Sequence, residues 1–126
     1  MKRIFVAILL VGMSGCAGLL PSFWDDNQSR AIIDVRQTVR HINCAEPHLP
    51  QVIKVQYQLE WFQLYSESKG YLQKDVLQLI KPMQETVDDF VQRSKTAQGT
   101  KAYCETKKQL LDTQSRMAAQ AVLARF

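Results

Sequence analysis

Apolar residues along this chain recur at intervals of three and four, the spacing that lines one face of an α-helix, and nowhere alternate long enough to suggest a strand. The exception is the N-terminus, where Ile4 to Val11 is an unbroken apolar run behind Lys2 and Arg3. Beyond it the pattern predicts a first helix on Ile32, Val35, Val39 and Ile42, starting at a capping-box-like Ser22 and Asp25 and running to about Cys44. Glu46-Pro47-His48-Leu49-Pro50 cannot continue it, because each proline removes a donor and pushes its predecessor out of the helical region.

A second helix from about Pro50 carries Val52, Val55, Leu59 and Phe62, and Tyr57, Trp61, Leu64 and Tyr65 widen its apolar stripe to more than half its girth. Ser66 to Gly70 stops it, with Gly70 suited to a left-handed cap. Leu72, Val76, Leu79, Ile80, Met83, Val87, Phe90 and Val91 predict a third helix to about Lys95, whose spacing passes unbroken through Pro82 and makes that proline a kink. After a loop at Thr96 to Thr100, Tyr103, Leu110, Leu111, Met117, Ala118, Ala121 and Val122 mark a fourth helix reaching nearly to Phe126. The expected fold is all-α, an antiparallel up-down four-helix bundle.

The N-terminal run is too short to span a bilayer, which takes roughly 20 apolar residues. With its positive start and small residues behind, it has the build of a secretory signal. It closes on Met13-Ser14-Gly15-Cys16, which resembles the lipobox of bacterial lipoproteins with methionine in place of the more usual leucine. The resemblance implies cleavage before Cys16 and fatty-acyl chains, palmitate among them, on its sulfur and amine. Several chains make a permanent anchor where one gives only reversible binding. It also implies the outer membrane, facing the periplasm, since Ala17 and not aspartate follows the cysteine. The alternative is an ordinary cleaved signal or an N-terminal anchor with Cys16 incidental. The chain divides accordingly into a signal peptide at 1–15, a lipidated cysteine and short tether at 16–22, and a helical domain at 23–126. Within and beside the tether, Leu19, Leu20, Phe23 and Trp24 either touch the membrane interface or pack under the first helix.

Export changes the reading of the two remaining thiols. Outside the cytoplasm paired cysteines oxidise, so Cys44 and Cys104 are expected to form one disulfide. The bundle accommodates it: the first helix ends and the fourth begins at the same end. A single rod from Pro50 to Lys95 would be about 68 Å long and would hold the two cysteines far apart. The same topology puts the start of the first helix, the Gly70 turn and Arg125-Phe126 at the membrane end.

Composition adds exclusions. Without residues 1–15 the mature chain has 111 of the 126 residues, one domain's worth, and its 16 basic residues fall to 14 against 12 acidic. A net charge of +2 scattered along the chain implies no nucleic-acid partner, and Lys101, Lys107 and Lys108 read as a solvated face. His41, Cys44 and His48 are ligand-like, but a bridged Cys44 leaves two histidines where zinc takes three or four ligands, so neither metal nor cofactor is expected. Glu85, Asp88 and Asp89 read as a solvated acidic face, with Asp89 and Arg93 a surface helix pair. No nucleophile motif, HExxH, CxxC or phosphate loop is present, and no enzyme is expected. Tyr57, Glu60, Trp61, Phe62, Leu64 and Tyr65 are most simply core with polar tips at the rim. The alternative is a partner surface at Tyr57, Trp61, Phe62 and Tyr65, since Trp and Tyr are enriched at binding hot spots. The expected function is a membrane-anchored structural or accessory lipoprotein with an envelope protein partner. The alternative is a phage- or mobile-element-encoded lipoprotein that blocks an outer-membrane receptor or an invading apparatus; ligand carriage in the bundle is a third.

Overall fold

The computed structural model describes residues 24–69, 73–97 and 99–125. Four helices follow one another: α1 (Asp26–Arg40), α2 (His48–Ser68), α3 (Lys74–Thr96) and α4 (Lys101–Leu123), with no strand among the described residues. Each packs against its neighbours in the order α1, α2, α3, α4 and back to α1, which closes an antiparallel up-down bundle. Cys16, its lipobox, the tether, Ser22, Phe23, the Gly70 cap and Leu72 lie outside the described residues. No helix among the described residues is long and apolar enough to cross a membrane.

The core is made of one stripe per helix. Ile32, Val35 and Val39 of α1 meet Val52, Val55, Leu59 and Phe62 of α2, and Val76, Ile80, Met83, Val87 and Phe90 of α3 meet Leu111, Ala118 and Val122 of α4 inside one continuous cluster. The fourth stripe differs from the expected one. Leu110 and Met117 are exposed, Met117 by 62%, and the inward register is Cys104, Leu111, Ser115, Ala118 and Val122. Leu79 likewise lies at the surface, one position off the inward row of Val76, Ile80 and Met83.

Helix ends account for two shifted boundaries. Asp25 caps α1, its Oδ1 accepting the Gln28 N–H at 2.9 Å. The helix stops at Arg40 and not at Cys44, because Asn43 organises a turn: its side chain accepts the Ala45 N–H at 3.0 Å, and its backbone exchanges hydrogen bonds with the Gln51 amide at 2.7 and 3.0 Å. The Lys108 ammonium donates to the Ile42 carbonyl at 2.7 Å, where a cation suits the negative end of α1. Pro47 precedes α2, so Pro50 is its third residue and not its first, still within the turn whose N–H groups have no helical partner. Helix α3 continues through Pro82, and the Pro82 carbonyl accepts hydrogen bonds from Thr86 at 3.0 Å and from Gln114 at 3.3 Å. Thr100 caps α4 by accepting the Tyr103 N–H at 3.1 Å. Gly99 lies against the Tyr103 ring, where an added Cβ would come within 2.7 Å of Cδ1.

Cys44 and Cys104 form the expected disulfide, with Cα atoms 5.7 Å apart. It joins the loop after α1 to the first turn of α4.

Candidate interaction surface on helix α2

Helix α2 is apolar on two sides. Its inward row, Val52, Val55, Leu59, Phe62 and Ser66, steps by three and four and is buried throughout. Its outward row, Ile53, Tyr57, Trp61 and Leu64, keeps the same spacing with a different phase. Tyr57 is 65% exposed and Trp61 50%, while Phe62, one residue on, is fully buried. The core account of the aromatics therefore holds for Phe62, which is wholly buried and leaves the partner-surface group, and for Tyr65, half-buried with its hydroxyl bonded at the rim, but not for Tyr57 and Trp61. A step of one residue turns a helix by about 100°, enough to move a side chain from the core to solvent.

Tyr65 is half-buried and structural. Its hydroxyl donates to Asp25 at 3.2 Å and accepts from the Asn27 amide at 3.0 Å, which ties the end of α2 to the start of α1. Its ring stacks on Trp61, centroids 5.1 Å apart and 7° from parallel, so the exposed indole is held in place. Two open clefts flank Trp61. One, of about 340 Å³, is lined by Asn27, Arg30, Ala31, Asp34, Gln58 and Trp61. The other, of about 470 Å³, runs along Pro50, Ile53, Lys54, Tyr57, Gln58 and Trp61. Gln58 is common to both, and its Oε1 is buried with no hydrogen-bond partner among the described residues. An unmet acceptor in that position favours a visiting N–H or O–H.

The other candidate groups disperse. His41 is exposed and bonds its own helix at the Gln37 carbonyl, 2.9 Å away. His48 is buried, its Nε2–H donating to the Cys44 carbonyl at 3.2 Å and its ring set edge-on to Phe90. Among the described residues no group of three or more His, Cys, Asp or Glu is arranged to hold a metal ion. Asp88 accepts from Gln56 of α2 at 2.9 Å, whereas Asp89 faces α4. Asp89 pairs there with Lys107 at 2.6 Å, in place of the expected Arg93, and that hydrogen bond with the ammonium charge holds its carboxyl below the usual carboxylate range. Arg93 instead lies over the Tyr103 ring, 4.7 Å from its centroid. Lys107 and Lys108 are thus engaged and are not a merely solvated face.

A further cluster escaped the reading by residue type. Gln28, fully buried, donates to Ser66 at 3.0 Å and to Gln73 at 2.8 Å, and Arg125 reaches Gln28 at 3.4 Å and Asp75 at 3.0 Å. Beside it Asp25 pairs with Lys69. Burial works against the charged form of Asp25, but the hydrogen bonds from Lys69 and the Gln28 N–H outweigh it and keep the carboxyl below its ordinary range. The same pair raises the Lys69 ammonium above its ordinary value. Burial lowers the Arg125 guanidinium, with Asp75 acting in the opposite sense. The signal for this cluster is positional: Gln28, Ser66 and Gln73 each stand on the inward row of their stretch, where an apolar residue is expected.

No family model, no curated protein and no solved structure matches this chain.

Proposed function

We propose that this chain is a lipid-anchored accessory protein of a bacterial envelope, acylated at Cys16 and held at the outer membrane facing the periplasm. In this reading it works by binding and not by catalysis, and the stretch of the outward row of α2 around Tyr57 docks an envelope protein. The observation that carries the proposal is that row: Tyr57, Trp61 and Leu64 stay at the surface, with Ile53 half-buried behind them, although the inward row of the same helix already fills the core. Exposed Tyr57 and Trp61 on a single stripe, with Arg30, Asp34 and Lys54 along the clefts beside them, include the residue types enriched at binding hot spots. The unpartnered Gln58 oxygen adds a polar point that a partner's donor would satisfy. The Cys44–Cys104 bridge suits an exported protein, since such bonds persist in oxidising compartments.

The test is photocrosslinking in the native cell with benzoylphenylalanine at position 57, against the exposed α3 position 92 as control. A discrete adduct with one envelope protein at 57, reduced when Cys16→Ser prevents anchoring, is the expected result. Equal labelling at 57 and 92 overturns the reading.

A further inference from the structure

The outward row of α2 is not uniform along its length. Trp61 and Leu64 stand toward the end of α2, and Trp24, 45% exposed, stands at the same end of the bundle. The Tyr65 hydroxyl ties the start of α1, just after Trp24, to the end of α2 through its bonds to Asp25 and Asn27. Two indoles and a leucine therefore face solvent around the point where the chain joins residues 17–23.

We propose that this half of the row, Trp61 and Leu64 together with Trp24, is seated in the headgroup–acyl boundary of the phospholipid bilayer that holds the anchor, with the Arg30 guanidinium at phosphate level beside Trp61. The inference rests on acylation of Cys16 and deepens that reading: lipid fills the tether-end half of the row and leaves Ile53 and Tyr57 to the protein partner.

Reach is the first support. Eight peptide steps separate Cys16 from Trp24, so whatever path residues 17–23 take, Trp24 stays within about 28 Å of the acylated residue. The bundle end thus meets lipid at high effective concentration. Position is the second. At 1.5 Å per residue, Leu64 lies about 6 Å and Trp61 about 10 Å from the last residue of α2, both within two turns of the end that carries Trp24, whereas Tyr57 lies about 16 Å away. Chemistry is the third. An indole has an apolar body and one N–H, which the boundary satisfies at once. Arg30 lines the same cleft as Trp61 and makes no ion pair among the described residues; Asp34 also lines it, so the cleft itself is neutral on balance and the guanidinium provides the local contact to phosphate.

The full lipidated chain is reconstituted into vesicles of phosphatidylethanolamine and phosphatidylglycerol, with and without acyl-brominated phosphatidylcholine. Trp24→Phe makes Trp61 the reporter, and Trp61→Phe makes Trp24 the reporter. A control places an indole at the distal end, Lys101→Trp with both native tryptophans changed to phenylalanine. Trp61 and Trp24 are expected to lose at least half their emission to brominated lipid and to be shielded from iodide, while the control stays open to iodide and unquenched by bromine. Trp61 as open to iodide as the control overturns the proposal. So does a Trp61 exposed in vesicles but covered in native membranes, which would assign it to a protein. Intact mass separates the two readings: a chain without acyl groups on Cys16 fails the anchoring proposal itself, and a correctly acylated chain with an open Trp61 fails only this one.

Discussion

The two ends of the bundle are held by different forces. At the distal end a covalent bond joins Cys44 to Cys104, and Phe90 sits edge-on to both His48 and Tyr103. At the tether end, the described contacts between helix ends are hydrogen bonds and ion pairs: Gln28 with Ser66 and Gln73, Arg125 with Asp75, and Lys69 and Tyr65 with Asp25. The disulfide limits the unfolded chain and does not itself titrate, although the Asp89–Lys107 pair lies at the same end. The polar end depends on geometry and charge, and a single unmet group there is costly, because a buried donor or acceptor has no water to return to. One small core can thus be locked at one end and remain adjustable at the other, and opening is expected to begin where α1 starts and α2 ends.

The largest way to break the contrast is to remove the bridge. It spans a sequence separation of 60 residues, for which chain entropy credits about 4 kcal/mol. At several degrees per kcal/mol for a domain near 100 residues, reduction or the Cys44→Ser, Cys104→Ser pair is expected to lower the Tm by about 15–30 °C in a circular-dichroism melt. An unchanged Tm would mean that the distal end is held by packing alone. Next is Gln28→Ala, which strands Gln73 and Ser66 in the interior; a loss of about 1–3 kcal/mol in urea unfolding is expected, with amide exchange speeding up first at the start of α1. Uniform acceleration along the chain would erase the difference between the ends.

The smallest effect is the most diagnostic. The Asp25 carboxyl titrates lower in the folded chain than in the unfolded one, so its contribution is complete above the unfolded value near 3.9 and is lost as pH falls through the folded value. Lys69 is raised, so its share is complete below the unfolded value near 10.4 and disappears as pH rises through the folded one. Asp25→Asn, which keeps an N-cap, is expected to cost less than about 1 kcal/mol at neutral pH. It should also flatten the acid loss of protection in the first turn of α1. An equally steep acid limb in the variant would place the titration elsewhere.

Much of this fold is legible in the residues. The rows of Ile32-Val35-Val39 and Val76-Ile80-Met83 announce their helices, and Pro47 closes the first connection, while Pro50 falls inside the first turn of α2. The bridge follows from topology together with the expectation of export. What the pattern hides is phase where two apolar rows share one helix. Trp61 and Phe62 are equally apolar by type, and only the register with Leu59 and Val55 tells that Phe62 turns inward. Met117 misleads in the same way, because α4 packs inward on Ser115, Ala118 and Ala119, small residues that carry almost no hydrophobic signal. Helix spacing pairs Asp89 with Arg93, but the ion pair forms with Lys107 on the neighbouring helix, a contact no single-helix rule can supply. The polar end was readable in principle from Gln28, Ser66 and Gln73 standing on inward rows, yet their mutual partners come from three separate stretches.

The contact between Gly99 and Tyr103 sets a limit on how this chain can vary. Surface connections are where homologous proteins usually drift. Here even alanine at that one position would push the ring aside. The displaced ring would in turn give up its edge contact with Phe90 and the two cations, Arg93 and Lys107, gathered around it. A spot that looks like free ground for substitution is therefore a keystone of the covalently closed end, made of nothing more than a hydrogen atom where every other residue has carbon.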